Sequence, residues 1–310
     1  MNFLKFKNGL SNLISNNVFI KFIFNVKKKC CVVGLGYIGL PTSALLANSG
    51  FDVVGVDKNE NIVDLVNKGE VHIKEPDLSK LVEKVTKQKK LIASLIPVLA
   101  DIFIITVPTP IRNSSNKIPE PDISYVLKAA QSISKVIKQG DLIIIESTCP
   151  VGTTKKIYDL IKNQINFDVE KLYFAYCPER VIPGKILKEL KNNNRVVGGL
   201  TQKASLMCKE FYSKFCEGEI FITSAEAAEM VKITENAYRD VNIAFSNEIS
   251  LVCNKFNIDT LVYVTDITDE EQVKRTSEKI FKECGKIDGL VNNAANNPKV
   301  EEGRTDFSRL

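Results

Sequence analysis

The sequence predicts an α/β fold built on a doubly wound parallel sheet, and three observations carry that prediction. Unbroken apolar runs recur along the first half of the chain, at 30–33, 53–56, 102–105 and 142–145. Strands covered by helices on both faces read in this way, without apolar-polar alternation. Helix-periodic stretches separate the runs, and a Gly34-x-Gly36-x-x-Gly39 turn joins the first run to the first helix.

The elements follow in order. Cys30–Val33 predicts a short buried strand, and Leu40–Ser49 reads as a helix. Between them Gly34 permits a tight turn, Gly36 lets a backbone approach a pyrophosphate, and Gly39 lets helix and strand pack closely. Phosphates then lie on the exposed amides of the helix N-terminus, beside Tyr37 and Ile38. The second strand, "FDVVGVD", ends at Asp57, where an acid receives the adenosine ribose hydroxyls and repels a 2′-phosphate. Strand, glycines, helix, strand and acid in this order predict a Rossmann-like dinucleotide site that prefers NAD to NADP.

Two more strands, within "DIFIITVPTP" and "DLIIIESTCPVGTT", end in hydroxyl residues and prolines. The intervening "PDISYVLKAAQSISKVIKQG" predicts a helix with Asp122 as N-cap and Gly140 at its C-terminus. Open α/β sheets hold ligands at the C-terminal ends of their strands. Thr109, Ser147 and Thr148 are therefore expected to face the cofactor, with Thr154, a turn into the next helix, as a further contact.

Composition narrows the function classes. A chain of 310 residues is long enough for two domains, and its 44% hydrophobic and 25% charged residues are ordinary for a soluble globular protein. The net charge of +5 is mild and spread, with no basic stripe interleaved with aromatics, which argues against nucleic acid as a partner. Eight cysteines at irregular spacing without a CxxC pair predict reduced thiols in a cytoplasmic protein. His72 is the only histidine, which argues against a His-based metal site and a Ser-His-Asp triad, and no metal is expected. Residues 1–29 hold six lysines and no acid, with apolar runs too short and interrupted to span a bilayer. They predict a basic extension without firm membrane association.

Beyond the glycine turn, "GEVHIKEPDL", "VPTP", "ESTCPVGTT", "AYCPERVIPGK", "RVVGG" and "EMVKITENAYRDVNIAFSNEIS" occur in order up to residue 250. Together with the turn they resemble the nucleotide-sugar 6-dehydrogenases, the UDP-glucose/GDP-mannose dehydrogenase family, over about residues 30–259. Within it the branch acting on UDP-N-acetylmannosamine is most similar. The resemblance implies oxidation of a sugar C6 alcohol to a carboxylate with two NAD per substrate, on a pathway of polysaccharide synthesis.

It also implies roles. Lys232 and Asn236 of "KITEN" stand at i, i+4 on one helical face, where an ammonium and an amide can converge on one developing oxyanion. Arg239 on the next turn is implied to contact substrate. Glu179 of "CPER" is implied to assist the hydrolytic water, with Thr148 nearby, and Arg180 and Val181 to belong to the sugar site. The segment from Thr223 to Phe256 has apolar positions on more than one face, which predicts a homodimer through a central helix.

From about Thr260 the pattern changes. "LVYVTDITDEEQVKRTSEKIFKECGKIDGLVNNAANNPKV" resembles an internal piece of a short-chain dehydrogenase, with a strand, Asp266, a helix over Asp269–Cys284, and a second strand ending at Asn292-Asn293-Ala294-Ala295. No Gly-Gly-x-Cys loop of the kind that carries the first family's nucleophile occurs in the 310 residues. The expected organisation is a basic extension at 1–29, an NAD-binding domain at 30–215, a truncated central helical region at 216–259 and a small β-α-β fragment at 260–310. On this reading four-electron turnover is incomplete. The alternatives are a two-electron hydroxyacid dehydrogenase using Lys-x-x-x-Asn, or a non-catalytic NAD-binding module.

Overall fold

The structure, a computed structural model, describes residues 28–113, 119–258, 261, 263, 265 and 269–287. The chain divides between Asn242 and Ile243 into two compact units.

In the first unit β1 (Lys29–Val33), α1 (Gly39–Asn48), β2 (Asp52–Val56), α2 (Glu60–Asn67), α3 (Leu78–Lys87) and β3 (Leu91–Ser94) are followed by β4 (Ile102–Ile105) and a small ribbon of β5 (Ile111–Asn113) and β6 (Pro119–Pro121). Next come α4 (Ser124–Ile133), β7 (Leu142–Ile145), α5 (Thr153–Lys162), β8 (Tyr173–Tyr176), α6 (Ile186–Asn192), β9 (Arg195–Gly199), α7 (Gln202–Tyr212), β10 (Ile220–Ser224) and the start of α8 (Ala225–Lys255). The main sheet has the order β10-β9-β8-β7-β4-β1-β2-β3.

Six neighbouring strands, β3 to β8 across the sheet, are parallel. The order reverses at β1, whose Val33 pairs with Val56 on one side and Ile105 on the other. A crevice opens at the carboxyl ends of strands at such a reversal. The expectation of a parallel doubly wound sheet holds over these six strands and needs correction at one edge. There β9 runs antiparallel to β8, with Ala175 opposite Gly199, and β10 is parallel to β9. The chain leaving β8 turns at the carboxyl edge and comes back beside it, a return that needs no crossover.

Alternate residues of each strand feed two cores. Val32, Ile104 and Ile144 pack with Leu40 and Leu46 of α1 and Phe211 of α7 on one face. Val33, Ile105 and Ile145 pack with Val126 and Ile133 of α4 and Ile157 of α5 on the other. Each such fully buried aliphatic or aromatic side chain contributes about 1.5–3 kcal/mol.

The predicted helix after Asp122 is shorter than expected. It ends at Ile133, and Asp122 lies one residue ahead of the N-cap, its Oδ1 accepting from the Ser124 amide at 2.9 Å. Gly140 has φ of +92° in the turn entering β7, where Asp141 accepts from the Lys138 amide and side chain and draws the chain away from the helix axis.

In the second unit α9 (Glu270–Cys284) matches the expected acid-started helix: Asp269 is its N-cap, accepting from the Gln272 amide at 3.1 Å, and Gly285 ends it at φ +75°. Tyr263 donates to Glu283 within the same unit. Asp266, the asparagines at 292–293 and the extension at 1–27 lie outside the described residues. Among the described residues no helix is long and apolar enough to cross a membrane, and no group of three or more His, Cys, Asp or Glu is placed to hold a metal. All eight cysteines are free.

Candidate functional site

The glycine turn is built against β4. Gly34 has φ of +104°, and a Cβ on it would stand 2.9 Å from the Thr106 carbonyl oxygen. A Cβ on Gly39 would come within 1.7 Å of the Gly34 oxygen, so only glycine lets α1 start this close to β1. The Thr106 hydroxyl fastens the turn, donating to the Gly34 oxygen at 2.7 Å. Asp57, just beyond β2, accepts from the Leu35 amide at 3.0 Å and from the Asn59 amide at 2.9 Å. Its carboxylate is thereby fixed at the mouth of the turn.

Two cavities meet this turn. One of about 410 Å³ is lined by Gly34, Asp57, Leu95, Ile96, Pro97 and Tyr125, an apolar slot with one acid at its rim. The other, of about 520 Å³, brings together Gly36, Tyr37, Ile38, Thr109, Ser147, Thr148, Glu179, Val181 and Lys232 of the predicted site residues. A Cβ on Gly36 would meet nothing within 4 Å, so the space above the turn is open. No side chain caps the N-terminus of α1. An apolar slot with an acid, an uncapped helix start and a wider cavity beyond fit an adenosine, a pyrophosphate and a nicotinamide in sequence.

Other predicted residues are engaged elsewhere. Thr154 is buried within α5; its hydroxyl donates to Glu229 of α8 at 2.6 Å and its amide to the same oxygen at 2.7 Å, while Gly152 donates to the other oxygen at 2.6 Å. It lines neither cavity. The Arg180 guanidinium pairs with Glu235 and the Asn194 carbonyl. Asn236 accepts from Arg239 at 2.8 Å, and Lys232 Nζ donates to the Glu179 carbonyl at 2.6 Å. Without substrate the lysine and the amide thus each bond a protein partner.

Three residues escaped the sequence reading. Arg195 opens β9, is 3% exposed, and binds the Glu179 carboxylate at 2.8 Å. Glu146 follows β7, is 4% exposed, lines the larger cavity and accepts from the Tyr212 hydroxyl. Glu229 makes the link to α5. The signal for the first two is a charge beside an apolar run, as in "LIIIE" and "RVVGG", which a buried ion pair or hydrogen-bonded carboxyl requires. Glu229 sits among other charges in "AEAAEMVK" and carries no such signal.

Burial, with the Glu179 charge adding and Arg195 opposing, pushes the Glu146 carboxyl up to about 7. Burial and the nearby Arg239 charge lower the proton affinity of Lys232. The neighbouring Cys177 thiol is pushed up to about 12, mainly by burial, so it is not a nucleophile at neutral pH.

The family model described as the UDP-glucose/GDP-mannose dehydrogenase family, NAD binding domain, matches residues 28–216. The chain belongs to this family. The family's central-domain model matches 226–282, running past the boundary near 259 drawn from the motifs. The cofactor of the matched domain is NAD, in agreement with Asp57 and the open turn.

Among relatives, a UDP-N-acetyl-D-mannosamine dehydrogenase of Methanococcus maripaludis is 48% identical over 231 residues, covering 74% of this chain and 52% of the relative. One of Escherichia coli K12 is 48% identical over 230 residues, covering 72% and 54%. The solved UDP-N-acetyl-mannosamine dehydrogenase of Staphylococcus aureus superposes with a TM-score of 0.68 at 45% identity, covering 74% of this chain and 55% of that one. The chain thus spans about half the length of the relatives it matches.

Proposed function

We propose that this chain binds NAD and a UDP-sugar, UDP-N-acetylmannosamine, and supports oxidation at the sugar C6. The observation that carries the proposal is that Lys232 and Glu179 stand in the same cavity as the glycine turn. NAD, when bound, supplies the hydride acceptor. Gly36, Tyr37 and Ile38 would hold its pyrophosphate and Asp57 would accept from the adenosine ribose, while Thr109, Ser147 and Thr148 line the cavity wall beyond.

The site's own residues take up the proton that the C6 alcohol gives up. Lys232, freed from the Glu179 carbonyl, offsets charge on the C6 oxygen, and its lowered proton affinity suits it to exchange protons there. Asn236 joins it after release from Arg239. Glu179, its carboxylate oriented by Arg195, and Thr148 position water. Arg180, Val181 and Arg239 complete the sugar side, in a cytoplasmic homodimer joined through α8, along which Tyr238, Val241 and Phe245 are exposed.

A second reading is favoured by the absence of any cysteine from the described cavity lining. On it the reaction stops after one two-electron step at the aldehyde. Counting NADH formed per UDP-N-acetylmannosamine separates the readings: two for full oxidation, one for the aldehyde. None, with NAD bound, would leave only a cofactor-binding module.

A further inference from the structure

Two carboxyls, Glu146 and Glu179, line the larger cavity, and the Arg195 guanidinium is buried against Glu179. Arg195 donates to Glu179 at 2.8 Å and to the Leu190 carbonyl at 2.9 Å, and its guanidinium lies 4.7 Å from the centre of the Tyr212 ring. The Tyr212 hydroxyl in turn donates to Glu146 Oε1. Glu146 Oε2 is buried and has no hydrogen-bond partner, and Arg195 Nε is likewise buried and unpartnered. Arg195 thus serves two acids, one in contact and one reached through a tyrosine, while among the described contacts the Lys232 charge acts on the Glu179 side alone. The titratable groups facing Glu146 are Arg195 from β9, Glu179 and Cys177 from beyond β8, and Tyr212 and Cys208 from α7.

We propose that Glu146 is a positioning residue which stores a proton beneath the active-site cavity and thereby leaves Arg195 to Glu179. Two nearly inaccessible carboxylates beside one buried guanidinium cannot both be fully compensated by it. Glu179 makes the direct contact, so the proton resides on Glu146. Ionising Glu146 sets a second acid competing for Arg195 and loosens its hold on Glu179. The inference deepens the proposed function, because Glu179 is the carboxylate assigned there to the water. Burial drives the Glu146 carboxyl into the neutral range, where such a switch operates.

Carbon-13 spectra of the full chain labelled at glutamate Cδ, titrated without cofactor, test this. One resonance, lost in Glu146→Gln, is expected to titrate near neutral pH. A second, lost in Glu179→Gln, is expected to move with it, and to stop moving there in Glu146→Gln. Tyr212→Phe, which keeps both acids and removes a donor to Glu146, is expected to raise the first midpoint and decides the matter if Glu146→Gln does not fold. An unaltered midpoint in Tyr212→Phe, a Glu146 resonance ionised throughout the neutral range, or a Glu179 resonance indifferent to Glu146→Gln would overturn it. Calorimetry with NAD on the same samples reports on the proposed function separately, since carboxyl titration needs no ligand.

Discussion

The Glu229 carboxylate on α8 takes both the amide and the hydroxyl of Thr154, at 2.7 and 2.6 Å, in a buried setting. With the Gly152 amide it closes the exposed donors at the start of α5, where a negative charge also meets the positive end of the helix. This bond set ties the lysine-bearing helix to the start of α5.

Removing the acid exposes that dependence. Glu229→Ala is expected to lower stability by about 3 kcal/mol, because charged hydrogen bonds are lost and buried amides are left unpaired. Thr154→Val, which loses one of the bonds, is expected to cost about 1.5 kcal/mol and to leave NAD affinity unchanged. Urea denaturation and calorimetry on the same preparations check both. A loss of NAD affinity in Thr154→Val would restore that residue to the cofactor site.

Arg195 and Glu179 form an ion pair with both side chains nearly inaccessible, at 3% and 6%. Arg195→Met leaves a carboxylate buried without its cation and is expected to cost about 3–5 kcal/mol. Adding Glu179→Gln should recover most of that loss, and a double-mutant cycle in urea measures the recovery.

Glu146 carries a pH signature in stability. Its carboxyl stands at about 7 in the folded protein, against 4.5 for the ordinary group. Between those values the unfolded chain releases the proton while the folded chain keeps it, so this group's contribution falls as pH rises and levels off above about 7. Glu146→Gln removes the dependence. Its stability relative to wild type should grow by about 3 kcal/mol between pH 4.5 and 8, read from thermal or urea unfolding across that window. A constant difference would contradict the raised carboxyl.

The parts legible in the sequence were those set by local chemistry. The strand at Cys30–Val33, the positive φ at Gly34 and the acid at Asp57 follow from neighbouring residues, and so does the helix capped by Asp269. The parts that were not legible depend on residues far apart in the chain. Glu229 and Thr154 are 75 residues apart, and Tyr212 and Glu146 are 66 apart. The antiparallel return of β9 likewise shows only once the chain turns at the sheet edge and sets Arg195 against Glu179. The resemblance placed Glu179 and Lys232 in one site, but not the contacts that hold Lys232 to the Glu179 carbonyl and Asn236 to Arg239.

The central claim is that a dinucleotide lies across the glycine turn with its adenosine ribose held by Asp57. Titration calorimetry of the monodisperse full chain with NAD tests it most directly. We predict one binding event in wild type, weakened by about tenfold to a hundredfold in Asp57→Ala, the loss of one or two hydrogen bonds to a charged group. No binding heat in the wild type, or the same affinity in Asp57→Ala, would contradict it.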